Sequence, residues 1–281
     1  MKSNFSLYIP VTDGAGIGNT LKGFISALSI CDDVDVKIQC NINSILGDFS
    51  KIIDEKFIVQ NDDDLKKRDI FSSCRFLIKK EEEEYQFDLS NEYSCYTAVD
   101  LSYDKKYWYL FSQKVMIDWY FERKLIHDKV FERIQNGIKK IIWKQEIMDE
   151  VDKTCQQIQF PALGVSIRTW NAQHSGDRGC TRPYNKEEYM KKMQNIIDNY
   201  AINTIFMSYD NHNVIESYDS FLKDYKVITY VPTDDIDLLQ IAIIKILILS
   251  KCEYFVCNRI STFAELVFWF GECKQIVQTV F

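Results

Sequence analysis

LGVSIRTWNAQHSGDRGCTR, residues 163–182, is the stretch whose reading decides the fold. Its first five residues read as a strand that is apolar apart from Ser166, the pattern of a strand covered on both faces. Arg168 follows at the strand's C-terminal end, and a long polar loop then carries His174, Asp177, Arg178 and Arg182. In open α/β sheets ligands bind outside the carboxyl ends of the strands. An arginine at that place suits a planar, two-pronged hold on a phosphate. The same arginine also suits a loop cap or a pair with a surface carboxylate.

Downstream, strands and helices alternate regularly. Residues 186–200 form an amphipathic helix with Tyr189, Met193, Ile196 and Ile197 inward, and residues 204–208 a strand that ends at Tyr209 and Asp210. A helix over 214–222, a strand over 226–230 and a long helix over 234–250 follow, the last opened by acidic residues that suit its positive end. A strand over 254–256, a helix over 262–270 with Ser261 as its cap and a strand over 275–277 close the chain. Alternating β and α implies a parallel sheet covered on both faces.

Upstream, a strand over 5–9 leads into TDGAGIGNTLKGFISALSI, residues 12–30. Gly14, Gly16 and Gly18 read as a turn that brings backbone N–H groups close to a ligand. Leu21, Phe24, Ile25 and Leu28 then recur at helical spacing. Strand, glycine loop and helix together present a helix N-terminus to an anion. The glycines are spaced too tightly for G-x-G-x-x-G, so a tight turn without ligand remains the other reading. Strands over 34–38, 56–60 and 71–80 follow, and the run Glu81–Glu84 reads as an exposed loop. Residues 105–153 are helical in pattern, with Trp108, Phe111, Trp119 and Tyr120 on apolar faces. A boundary near residue 150 gives two domains, 1–150 and 151–281.

At 281 residues with 46% hydrophobic and 27% charged residues, the chain can bury a core in each of two domains. A net charge of −7 excludes a general nucleic-acid binder, which needs a basic face. Nine scattered cysteines without C-x-x-C fit a reduced compartment. The apolar segment 236–249 is interrupted by Asp237, Gln240 and Lys245, so no membrane span is expected. Cytoplasm is the expected location.

Polar residues recur at the strand ends of the second half. Arg168 follows one strand, Asp210 another, and Asn258-Arg259-Ile260-Ser261-Thr262-Phe263 follows a third and opens a helix. Ser261 and Thr262 at a helix N-terminus offer hydroxyls and N–H groups to a phosphate. Arg168 and Arg259 can neutralise a diphosphate.

With these residues in place, the chain resembles the fucosyltransferase-like branch of the GT-B glycosyltransferases, which includes the protein O-fucosyltransferases, α1,6-fucosyltransferases and bacterial nodulation fucosyltransferases. GAGIGNTLKGFISAL resembles that family's first glycine–asparagine loop and helix, and GVSIRTW its H-x-R strand. NTIFMSYDN and LILSKCEYFVCNRISTFAELVFWFG resemble its aspartate motif and its closing phosphate-binding stretch. The resemblance implies an α/β GT-B fold, two Rossmann-like domains facing a cleft, with the acceptor side in 1–150 and the nucleotide sugar in 151–281. It implies that Arg168 binds the donor β-phosphate, that Ser261, Thr262 and Phe263 wall the phosphate and base, and that Gly16, Gly18 and Asn19 close the site. Asp210, Arg178 and Arg259 complete the donor set.

The resemblance further implies sugar transfer with inversion, without metal or other cofactor, from a nucleotide-sugar donor to a glycan hydroxyl. Ser166 stands where the family has the histidine of H-x-R, and Lys245 where it has an aspartate. Those positions help to read guanine there, so the expected donor is GDP-fucose or a UDP-pentose such as UDP-xylose. For the base, Asp13 is preferred because the related enzymes place an acid near it; Asp177 is second and His174 third. Asp before Gly is also a common turn former. Three Asp-x-Asp pairs, Asp33–Asp35, Asp62–Asp64 and Asp235–Asp237, have metal-site spacing, but chance explains them in an aspartate-rich chain. An unanchored member fits a bacterial or virus-encoded enzyme, acting in the host cytoplasm in the second case. The competing expectation is a non-catalytic nucleotide- or glycan-binding module that keeps the pocket and lacks a working base.

Overall fold

The structure, a computed structural model, describes residues 6–9, 17, 18, 21, 24, 25, 28, 35–39, 48–59, 78–81, 84–87, 121–126, 128–169, 184–233, 235–259 and 261–280. The chain divides into two compact units. One comprises residues 1–116, 126–147 and 237–242, the other residues 117–125, 148–236 and 243–281.

In the first unit, β1 (Ser6–Ile9), β2 (Asp35–Gln39) and β3 (Ile58–Val59) form a parallel sheet in the order β1-β2-β3. Residues 17, 18, 21, 24, 25 and 28 are helical, and Leu21, Phe24, Ile25 and Leu28 are buried, as their spacing predicts. Phe24 meets Phe57 edge-on at 5.4 Å. Two expectations need correction. Gly18 is buried within helix rather than in the preceding loop. The two ends of the glutamate run lie in strands rather than in a loop. Glu81 ends β4 (Ile78–Glu81), Glu84 opens β5 (Glu84–Phe87), and the two residues pair across an antiparallel hairpin. Local like charge disfavours that pairing, but the antiparallel ladder that continues from Ile78 to Phe87 overrides it.

In the second unit, five parallel strands are ordered β10-β9-β6-β7-β8: β6 (Ala162–Ile167), β7 (Thr204–Tyr209), β8 (Lys226–Thr229), β9 (Tyr254–Asn258) and β10 (Ile276–Val280). The chain runs outward from β6 through β7 to β8, then returns to the other side of β6 for β9 and β10. All six residues of β6 are buried, the expected mark of a central strand covered on both faces. Leu163, Val165 and Ile167 pack on one face with Tyr189, Met193 and Ile196 of the helix Lys186–Asn199. Each large side chain so buried contributes about 1.5–3 kcal/mol.

The helix Leu238–Leu249 is apolar nearly all round and has Ile243, Ile244, Ile246, Ile248 and Leu249 fully buried. Expected to begin near residue 234, it starts later because Asp237 and Gln240 form a capping box. The Gln240 N–H donates to Asp237 Oδ1 at 3.0 Å, and the Asp237 N–H donates to Gln240 Oε1 at 3.1 Å. At its other end, Gln275 Nε2 donates to the carbonyls of Leu249 and Cys252 at 2.9 and 2.8 Å, meeting the need of orphan C-terminal carbonyls. The helix expected over 214–222 is two short ones, Asn213–Glu216 and Asp219–Leu222.

Gly164 lets this helix end approach β6. A Cβ there would stand 2.9 Å from Leu249 Cδ2 and 3.3 Å from Cys252 Cβ and Sγ. Gly164→Ala is therefore expected to destabilise the chain by about 1–3 kcal/mol, read as a lowered denaturation midpoint with unchanged m-value. Cys252, Cys257 and Cys273 are buried, and burial pushes all three thiols well above their ordinary value, so they are inert packing residues.

Candidate donor site at the C-terminal edge of the sheet

The strand order reverses direction between β6 and β9, which makes the carboxyl ends of these two strands the topological switch point of the sheet. Arg168 and Thr169 leave the end of β6, Asp210 leaves the end of β7 beside it, and Arg259 leaves the end of β9 on the other side. Strand register thus gathers at one edge four of the residues singled out in sequence: Arg168, Asp210, Arg259 and Ser261.

Asp210 organises the first turn after β6. Its carboxylate accepts from the Thr169 N–H at 3.0 and 3.1 Å and from Thr169 Oγ1 at 2.9 Å. Arg168 Nε lies 3.5 Å from Asp210 Oδ2, with the arginine side chain 41% exposed. The guanidinium is therefore at the surface of this edge and oriented by a neighbouring carboxylate. Lys245, on the helix Leu238–Leu249, lies with Nζ 5.5 Å from the centre of the Tyr209 ring. Burial pulls its ammonium below the ordinary lysine value, and the charge of Asp210 works against that fall. His212 stacks on the same ring at 5.8 Å.

Across the switch point, Ser261 caps the helix Thr262–Phe270: its Oγ accepts from the Ala264 N–H at 3.4 Å. Ser261 is buried, while Thr262 and Phe263 are half-buried. The first N–H groups of such a helix have no partner within it and carry the positive end of its dipole. Arg259 is only 6% exposed, and its backbone N–H donates to the Val280 carbonyl at 2.9 Å, so it is built into the sheet edge. Glu265, in the first turn of the helix, is fully buried.

Gly18 lies in the first unit. Asp13, Gly16, Asn19, His174, Asp177 and Arg178 fall outside the described residues, as do the aromatic residues 108, 111, 119 and 120. Among the described residues no group of three or more His, Cys, Asp and Glu side chains converges. No helix of the described residues is long and apolar enough to cross a membrane. Thr169 and Tyr189 were not singled out as site residues in the sequence. A threonine after the arginine carries no motif, and a tyrosine at a core position of a helix reads as packing.

The protein has the GT-B fold, an α/β architecture. Solved structures that share it are POFUT1 in complex with GDP-fucose (15% identity, 99% of this chain and 97% of that chain, TM-score 0.55) and the fucosyltransferase NodZ from Bradyrhizobium (13% identity, 93% and 92%, TM-score 0.55). NodZ alpha-1,6-fucosyltransferase soaked with GDP-fucose matches at 12% identity over 94% of this chain and 92% of that chain, with a TM-score of 0.55. At these identities the likeness is one of fold. No protein-family model matches the chain, and no curated protein sequence does.

Proposed function

We propose that the protein is an inverting glycosyltransferase that moves a sugar from a nucleoside-diphosphate sugar to a glycan hydroxyl. The observation that carries this reading is the placement of Arg168 and the Ser261-capped helix start at the ends of β6 and β9, on the switch point of a parallel sheet. In a single displacement, a base takes the proton of the acceptor hydroxyl while its oxygen attacks the anomeric carbon. The bond to the diphosphate breaks, and the diphosphate leaves with the electron pair. The protein's task is to hold positive groups where that charge develops. Arg168 does this directly, the first N–H groups of the helix Thr262–Phe270 assist, and Arg178 and Arg259 add charge. Thr262 and Phe263 wall the donor.

In this reading the second unit holds the donor, the first unit serves the acceptor, Asp13 is the base with Asp177 as second choice, and no metal or other cofactor takes part. What supports the metal-free form is that Arg168 brings a fixed cation to the carboxyl end of β6. The protein works in the cytoplasm, where its buried free thiols stay reduced. The donor is GDP-fucose or a UDP-pentose such as UDP-xylose.

A thermal-shift screen with GDP, UDP, GDP-fucose and UDP-xylose, followed by transfer assays with and without EDTA, tests it. One nucleotide series is expected to raise the unfolding midpoint, because selective binding to the folded state stabilises it by mass action. Its sugar nucleotide is expected to be turned over equally in EDTA. Binding without turnover across a broad acceptor panel establishes the non-catalytic module instead.

A further inference from the structure

Tyr189 lies in the first turns of the helix Lys186–Asn199, whose start is capped by Asn185 accepting from the Glu188 N–H at 3.0 Å. It is 1% exposed, and its ring packs in the core between the helix and β6. A phenylalanine would fill that space, so the hydroxyl has a separate use. It donates to the Ser166 carbonyl at 3.1 Å, two residues before Arg168. Burial drives the phenol far above its ordinary range, so the hydroxyl stays a neutral donor. The hydroxyl therefore holds the β6 backbone just before Ile167, close to the point where the strand gives way to the Arg168 turn.

The ring is braced in its turn. Tyr184 lies against it at 5.9 Å between ring centres, and the Tyr184 hydroxyl donates to that of the fully buried Tyr218 at 2.7 Å. On the far side of Arg168, Asp210 takes the N–H and hydroxyl of Thr169. The residue that carries the guanidinium is thus anchored before and after its Cα, from two different elements.

We infer that Tyr189 is a positioning residue, whose hydroxyl locks the backbone at Arg168 and so sets the direction in which the guanidinium leaves the sheet edge. Misplacement of a binding group by about 1 Å costs about 10²-fold in rate, so such a lock has a functional consequence that ring packing alone does not. What the guanidinium holds rests on the glycosyltransferase reading; the lock itself does not.

The test is Tyr189→Phe in the full chain, read by hydrogen–deuterium exchange at single-amide level and by titration with GDP and with UDP. The Arg168 amide is expected to exchange about tenfold faster, because its turn opens more readily once the one hydrogen bond from Tyr189 to the Ser166 carbonyl is lost, with the amides of 204–209 and 190–199 unchanged. The nucleotide that the wild type binds is expected to bind about 3–10-fold more weakly per folded molecule. An unchanged Arg168 amide overturns the inference, as does an equal rise throughout β6, β7 and the helix, which marks a purely structural hydroxyl. A local rise with unchanged nucleotide affinity also overturns it. A local rise in a protein that binds neither GDP nor UDP leaves the lock standing and removes the glycosyltransferase reading.

Discussion

Arg168→Ala is expected to lower kcat/KM for sugar transfer by about 10²–10³-fold, on the order of 3–4 kcal/mol of transition-state stabilisation. The size follows from what the group does in the proposed reaction. Negative charge on the diphosphate grows as the bond to the sugar breaks, so a fixed guanidinium at that place stabilises the transition state more than the ground state. The fold has little stake in the side chain. It is 41% exposed and pairs with Asp210 at 3.5 Å, and a pair so placed contributes at most about 1 kcal/mol. The unfolding midpoint should therefore move by no more than a few degrees. Arg168→Lys separates charge from geometry: it keeps the cation and loses the planar fork. An intermediate rate for the lysine variant supports two-pronged phosphate binding. Wild-type turnover in Arg168→Ala would remove the diphosphate role, and a large fall in the midpoint would assign the residue to folding instead.

The architecture of the second unit was legible in sequence because its signals are strong and local. The run at β6, apolar apart from Ser166, the 3.6-residue spacing of Tyr189, Met193 and Ile196, and the Ser261 cap each specify an element independently of tertiary contacts. Element ends were less legible. The start of the helix Leu238–Leu249 depends on a reciprocal pair of hydrogen bonds between Asp237 and Gln240, which a count of acidic residues does not distinguish from simple dipole compensation. Glu81 and Glu84 read as loop residues because charge favours solvent, whereas the pairing of their strands decided their conformation. Of the site, sequence pointed to the residues that end strands. It could not order the strands, and so could not show that β6 and β9 are neighbours while Asp210 stands on the outer side of Arg168. Nor could it distinguish a tyrosine that uses its hydroxyl from one that only packs.

That geometry gives Asp210 a use in holding the turn that carries Arg168. Its carboxylate is occupied by the Thr169 N–H and hydroxyl and by Arg168, so its proposed contribution to transfer is to hold the arginine turn. Asp210→Ala is expected to lower kcat/KM by about 10–10²-fold, since the guanidinium remains and only its placement is lost. Asp210→Asn keeps an acceptor for Thr169 and should recover part of the rate. Stability supplies a second readout through Lys245. Its ammonium is desolvated on an apolar helix, and Asp210 is the charge that opposes the resulting fall in pKa. Without that carboxylate the folded-state pKa falls further below the unfolded value of about 10.4. In the window between the two values the unfolded chain binds more protons, so stability rises with pH there. Below it the variant carries the full penalty, about 1 kcal/mol for a charged group left without its counter-charge. The stability gap between Asp210→Ala and wild type should therefore narrow as pH is raised toward 10 in urea titrations. Lys245→Met in the Asp210→Ala background should abolish the pH-dependent part of the gap without restoring transfer. A gap independent of pH would show that Lys245 does not sense Asp210. Rescue of transfer by the second substitution would show that Asp210 acts by neutralising Lys245 rather than by holding the Arg168 turn.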